Sequence, residues 1–312
     1  MKYGLCCISL ELQERESPLK FQTMTYKRFS SLPREEALGI LGSRILNNMV
    51  VTHEIIKHCA KNGWCYRLSS DLMPLITYDQ AGIDLADLPS HDDIQDVFDE
   101  IEQTVKSTGI RISAHPDQFN VLASTNEKVV NKTIDELNFM SSLMDRFGLS
   151  ADYNTPINIH IQNSKDGSRE EIAHRFLKNL LRLDENCQKR IVVENDDKEA
   201  AWSVAKLLNV FYPITNIPIT YDSHHFRLNN PEGLTAEEAA GACANTWGEF
   251  RPLFHFSNGR NNSLDKAHSD HVYELHEELF KIDVDIDYEY KSKDLTIKKF
   301  VEVYAKNGLI VA

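Results

Sequence analysis

Eight short apolar runs punctuate the sequence, and each is followed by a longer stretch of helical periodicity. The runs are Tyr3–Ile8, Trp64–Leu68, Ile110–Ala114, Ile157–Ile161, Arg190–Val193, Ile217–Tyr221, Pro252–Phe256 and Val284–Tyr288. The stretches after them are Glu35–Lys61, Ile94–Ser107, Glu127–Phe147, Glu170–Leu183, Glu199–Val210, Ala236–Asn245, Asp270–Leu279 and Leu295–Lys306. In Glu127–Phe147 the apolar positions Val129, Ile134, Leu137, Met140, Leu143 and Met144 mix spacings of three and four, as a one-sided helix does. Ser90 before HDDIQDVF and Ser168 before REEI are plausible helix caps. Strands alternating with helices imply parallel βαβ units, and eight such units predict a (β/α)₈ TIM barrel. A chain of 312 residues suits one decorated barrel as a single domain over 1–312. The alternative is an open doubly wound sheet. No GxGxxG follows the first run, which argues against a dinucleotide-binding version. The polar loops Glu11–Thr25 and Asn258–Lys266 are candidates to face a substrate.

Residues of one chemical kind follow strand after strand. The third strand runs into His115, the fourth into His160 and the fifth into Glu194. The sixth ends at Asp222 with His224 and His225 next, the seventh carries His255, and the eighth ends at Glu289. Barrel active sites assemble at this C-terminal edge. One such residue is ordinary, since a lone histidine is most often satisfied by its neighbours. Six consecutive strands each delivering an imidazole or carboxylate to one mouth need a compensating charge, because converging ionisable groups repel or are desolvated. Divalent cations supply it, and this thiolate-free mix suits Mn²⁺, Zn²⁺, Fe²⁺ or Co²⁺. Such clusters serve phosphodiester hydrolysis or sugar isomerisation and epimerisation, and spacing does not separate the two.

The formal net charge of −13 argues against a broad basic footprint. Binding is set by the charge of one face, however, and bound divalent ions would make the total less negative. Acidic helices such as HDDIQDVFDEIEQ and HEELFKIDVD place the remainder away from the mouth. No apolar run approaches the length of a membrane span, and the N-terminus lacks a signal-like stretch. The six cysteines form no CxxC pair and read as reduced thiols of a cytoplasmic protein. No feature points to a protein partner.

The motifs GWCYRLSSDLMPL, ISAHPDQFNVL, INIHIQN, VVENDD, YDSHH, HFSN, DKAHSD and IDYEYKSKD, in this order, resemble the UV damage endonuclease family, relatives of endonuclease IV. The resemblance spans nearly the whole chain. It implies a barrel holding up to three divalent ions, Mn²⁺ favoured with Zn²⁺, Co²⁺ or Mg²⁺ as alternatives. It implies damaged double-stranded DNA as substrate, cut immediately 5′ of a pyrimidine dimer, a 6-4 photoproduct or an abasic site. The products would carry 3′-hydroxyl and 5′-phosphate ends.

By motif, His115 and His160 should bind one ion shared with bridging Glu194. Asp222, His255 and Glu289, again with Glu194, should hold a second. His225 and His268 should hold the third, with Asp270 a weaker candidate and His224 an alternative to His225. Glu194 and Glu289 would be the catalytic carboxylates. Gln118 and Phe119 match the pair that probes the duplex at the lesion, where a flat amide and a ring fill the space left by flipped nucleotides. Arg67, Arg227, Arg260, Lys291 and Lys293 are candidate phosphate contacts, each weighed against an ordinary solvated charge. Three positions depart from the family. Tyr78 stands where many members have His, Leu253 where many have Lys, and Ser9 where Asn is usual near the probing pair. The Tyr78 and Leu253 positions are expected to lie together around the reacting phosphate. The competing readings are a sugar isomerase or epimerase, a non-catalytic damage-binding barrel and a general abasic-site endonuclease.

Overall fold

The computed structural model describes residues 1–305. Eight strands form one sheet: β1 (Tyr3–Cys6), β2 (Cys65–Leu68), β3 (Ile112–Ala114), β4 (Ile157–Ile159), β5 (Ile191–Glu194), β6 (Ile219–Thr220), β7 (Leu253–Phe256) and β8 (Asp285–Tyr288). Every pairing is parallel, in the order β6-β5-β4-β3-β2-β1-β8-β7. The two ends meet through a single parallel bridge, Asp222 to His255, with His255 N–H donating to the Tyr221 carbonyl at 3.0 Å. This closes the ring into a (β/α)₈ TIM barrel. The strands are near-continuous apolar runs because both faces are covered, by side chains inside and helices outside. All eight fall within the predicted runs, allowing a residue at the end of β5.

The outer ring includes helices at Arg34–Asn62, His91–Thr108, Glu127–Arg146, Arg169–Leu180 and Ala236–Asn245. Ser168 caps its helix as predicted, in a reciprocal box with Glu171. Ser90 precedes its helix but its hydroxyl makes no capping bond. The Glu199–Val210 expectation shifts to Val204–Thr215, with a π-turn over Leu207–Phe211. The last helix runs over Lys293–Phe300 into a π-turn at Val301–Ala305, and the predicted end at Lys306 lies outside the described residues.

One predicted helix is absent. Asp270–Leu279 is irregular until a short 3₁₀ turn at Glu277–Phe280. Other side chains claim its backbone. Tyr273 N–H donates to Asn258 Oδ1, Asn258 Nδ2 donates to the Glu274 carbonyl, and Thr296 Oγ1 donates to the Asp270 carbonyl. Tertiary hydrogen bonds thus override the local periodicity.

Layers of polar side chains cross the barrel axis. At the base Arg111, the residue before β3, pairs with Asp285 of β8, which is not a strand neighbouring β3. Above them Ser113 Oγ donates to Asp287 at 3.4 Å. Gly4 of β1 leaves room for Asp287, since a Cβ there would meet Asp287 Oδ1 at 1.9 Å. All six cysteines are free thiols. No helix among the described residues is long and apolar enough to cross a membrane.

Candidate metal centre

The strand ends deliver their polar residues to one point. Glu194, the last residue of β5, is 1% exposed and faces four imidazoles. His115 Nε2 lies 3.1 Å from Glu194 Oε2, His255 Nδ1 is also 3.1 Å from it, and His160 Nε2 is 3.9 Å away. His225 Nδ1 lies 3.1 Å from the other oxygen, Oε1. Asp222 is an N-cap whose Oδ1 accepts from the His225 backbone N–H at 2.6 Å. That cap fixes the short helix Ser223–Leu228 and turns His225, rather than His224, towards Glu194. His224 instead donates from Nε2 to the Asp265 carbonyl at 2.9 Å.

Three groups of convergent ligand atoms result: His115, His160 and Glu194; Glu194, Asp222 and His225; and His115, His255 and Glu289. Within each, the ligand atoms lie within 4.8 Å of one another. The partition differs from the expected one. His255 and Glu289 sit with His115 rather than Asp222, and His225 sits with Asp222 and Glu194. His268 joins none of the groups; its Nδ1 is 2.6 Å from the Glu289 carbonyl and 3.8 Å from Glu289 Oε2. Asp270 is exposed.

The donor set fits cations. His255 Nδ1 and Asp222 Oδ2 are buried at the centre yet have no hydrogen-bond partner. His255 Nδ1 is within 3.1 Å of one carboxylate and 3.4 Å of another, so the atoms point at a shared space and not at each other. Unsatisfied buried polar atoms of this kind are costly without an occupant. Electrostatics agree. Burial raises the Glu194 carboxyl, but His255 and His160, with hydrogen bonds from His115 and His225, hold it well below the usual carboxylate range. Glu289 is also held low, burial being outweighed by Arg67 and His255. Burial lowers His255, but Glu194 and Glu289 push it up to about 9. His115 is lowered, chiefly by burial.

Sequence reasoning passed over two supports. Asn158 Nδ2 donates to Glu194 Oε2, and Asp196 Oδ1 lies 3.1 Å from His160 Nδ1, on the far side of that ring from Glu194. Partners of this type orient metal-binding imidazoles and carboxylates. Strand alternation could have found them. Asn158 is two residues before His160, and Asp196 is two after Glu194.

Several expectations are corrected. Arg67 is not free for phosphate, because its guanidinium pairs with Glu289 inside the mouth. Arg227 is held by both oxygens of Glu278. Arg260 and Lys291 are exposed, and Lys293 is half-buried. Tyr78 and Leu253 are not neighbours around one phosphate. Leu253 is buried at the start of β7, level with Asp285 at the barrel base. Tyr78 lies on the loop after β2, ring against Tyr26. Ser9 is a buried cap, accepting from Leu12 N–H and donating to Asp294. Gln118 and Phe119 are exposed on the β3 loop. A fourth group, Glu11, His58 and Asp294, lies outside this centre, and Glu11 already pairs with Lys298.

A family model described as "UV-endonuclease UvdE" matches residues 1–307. The chain belongs to the UV-endonuclease UvdE family. Relatives named UV DNA damage endonuclease include one from Bacillus cereus (strain B4264), 29% identical, with 92% of this chain and 89% of that protein covered. The one from Bacillus velezensis is 27% identical, over 92% of this chain and 88% of that protein. The crystal structure of SacUVDE superposes with a TM-score of 0.80 at 29% identity, covering 99% of this chain and 100% of that one. Endonuclease IV from Thermus thermophilus shares the barrel alone, at a TM-score of 0.55 and 12% identity over 97% and 98% of the two chains. UvdE membership places the chain among the endonucleases of DNA repair.

Proposed function

We propose that this chain is a metal-dependent endonuclease that hydrolyses the phosphodiester immediately 5′ of UV lesions in double-stranded DNA. The observation that carries the reading is Glu194, buried and ringed by four imidazoles, beside two buried ligand atoms, His255 Nδ1 and Asp222 Oδ2, that have no hydrogen-bond partner. Its substrates are pyrimidine dimers and 6-4 photoproducts, with abasic sites as a further class. Three divalent ions, Mn²⁺ foremost, would be held by His115, His160, Glu194, Asp222, His225, His255 and Glu289, with His268 at the rim. When bound, such ions lower the pKa of a water and set positive charge against the phosphate oxygens.

The residues do the rest. Glu194 and Glu289 stay ionised, because the histidines and Arg67 around them favour the charged form. Asn158 and Asp196 hold Glu194 and His160 in place. Water gives a proton to solvent and its oxygen attacks phosphorus in line. The P–O3′ bond breaks, and the departing O3′ takes a proton from solvent to become a 3′-hydroxyl beside a 5′-phosphate. Gln118 and Phe119 fill the space of the displaced nucleotides, which damaged pairs surrender at lower cost. Arg260, Lys291 and Lys293 face the backbone phosphates. Damaged DNA is the partner, and the cytoplasm the compartment.

The test is nicking of UV-irradiated supercoiled plasmid with Mn²⁺ across a pH series, beside undamaged plasmid. Preferential nicking of the irradiated plasmid is the expected result. Equal nicking of both refutes damage recognition, and binding without nicking at any pH refutes the enzyme. Duplexes bearing an abasic site or a dimer separate the lesion classes.

A further inference from the structure

Among the described residues, the two most exposed large apolar side chains are Phe119, 75% exposed, and Leu264, 73% exposed. Both are on loops at the mouth, one after β3 and the other after β7. In a closed ring of eight strands, β3 and β7 are four steps apart in either direction, so the two side chains stand on opposite sides of the mouth. Phe119 matches the probing pair. Leu264 has no assigned role and sits in a segment otherwise polar from Asn261 to Lys266.

The loop that carries Leu264 is rigid. Gly259 and His268 form an antiparallel bridge, and Arg260 N–H donates to the Ala267 carbonyl at 2.6 Å. Asn262 Oδ1 accepts from Leu264 N–H at 2.9 Å, and Asp265 Oδ1 from Ala267 N–H at 3.0 Å. The turn packs on its own base so closely that a Cβ at Gly259 would meet the Asn262 carbonyl oxygen at 2.1 Å. The hairpin is also tied to the metal centre's side of the mouth. His224 holds the Asp265 carbonyl, and Lys266 pairs with Asp197 at 2.9 Å. A leucine on a fixed tip cannot fold back to hide its surface, and burying it in a partner is favourable. Apolar side chains inserted between base steps are a known means of kinking a duplex.

We propose that Leu264 is a second wedge, entering an unstacked base step of the damaged duplex from the side opposite Phe119. The two loops then grip the kink between them, and the scissile phosphate lies over the ligand groups. This rests on the reading of the chain as a damage-specific endonuclease and adds a residue that sets lesion preference.

The experiment uses the Mn²⁺-loaded protein and a dimer-bearing duplex with 2-aminopurine in the strand opposite the lesion, beside a matched undamaged duplex. Stopped-flow fluorescence reports unstacking, and single-turnover nicking against enzyme concentration gives half-saturation. Leu264→Ser and the bulkier Leu264→Gln should raise half-saturation on the damaged duplex about tenfold, the size expected from losing one buried apolar side chain. Both should lose most of the fluorescence rise, while affinity for undamaged duplex and the thermal midpoint stay at parental values. Leu264→Phe should keep the fluorescence rise. Half-saturation and fluorescence indistinguishable from the parent in both polar variants overturn the wedge. A parent that does not prefer damaged duplex overturns the endonuclease reading itself, and the wedge with it.

Discussion

Replacing Glu194 by Gln tests the centre at its most connected point. Glu194 belongs to two of the three ligand groups, while His115, His255 and Glu289 form the third without it. The carboxylate presents Oε2 to His115 and His255 and Oε1 to His225. An amide has one acceptor oxygen, so one of these sides would meet an NH₂ group that cannot bind a cation. Ion content should fall towards the one intact group. Nicking of irradiated plasmid should drop by at least about a thousandfold, or about 4 kcal/mol on the barrier. The fold should survive, because the neutral amide is close to isosteric and removes a buried charge. A second readout is independent of turnover. In the metal-free protein, burial lowers His255 and two carboxylates push it up to about 9. With Glu194 neutral and Glu289 and Asp287 as its remaining carboxylate neighbours, the His255 imidazole should titrate at lower pH by NMR. Nicking within about tenfold of the parent, or about 1.4 kcal/mol, would refute the assignment of Glu194.

Phe119→Ala should reduce the preference for irradiated over undamaged plasmid while leaving bound metal unchanged, as plasmid nicking and metal analysis would show. Gly4→Ala should destabilise the protein by about 1–3 kcal/mol in denaturant unfolding, since its Cβ would lie 1.9 Å from Asp287 Oδ1 and must push the barrel core apart. His276 gives an acid limb. Its Nδ1 lies 2.7 Å from Ser223 Oγ and its Nε2 3.2 Å from the Asn258 amide nitrogen, so the buried ring is neutral. Burial, then Arg227 and His224, lower it from 6.5 to about 2. The stability it contributes is full above pH 6.5 and is lost as pH falls towards about 2, with a slope of at most about 1.4 kcal/mol per pH unit. Denaturant midpoints measured from about pH 7 to about pH 5 should fall in the parent and fall less in His276→Gln.

The barrel was legible because parallel strands covered on both faces leave short apolar runs, and eight of them alternate with helical stretches. The centre was legible for the same reason, since a strand end in a barrel has one place to point. Grouping was harder. Which imidazole meets which carboxylate depends on stagger around the ring, and His225 was separated from His224 only by the Asp222 cap. Arg67 reads as an exposed cation in RLSS, yet its partner Glu289 is over two hundred residues away. Asp270–Leu279 has helical spacing, but Asn258 and Thr296 take its backbone groups, and neither is local. Leu253 shows the limit of motif matching: the position is in register with the base of the barrel, out of reach of the mouth.

The seam of the ring has a thermodynamic meaning. β6 and β7 are joined by one bridge, between Asp222 and His255, and both residues also offer ligand atoms. This thinly paired joint therefore carries a cation ligand on each side, one in each of two groups that divalent ions would fill. Any free energy of ion binding is then also free energy of ring closure. Loading the protein should slow amide exchange at Tyr221 and His255 more than in β2 and β3, far from the seam. If the chain is metal-dependent as proposed, a cell short of the ion would hold a protein that is slightly unzipped as well as inactive.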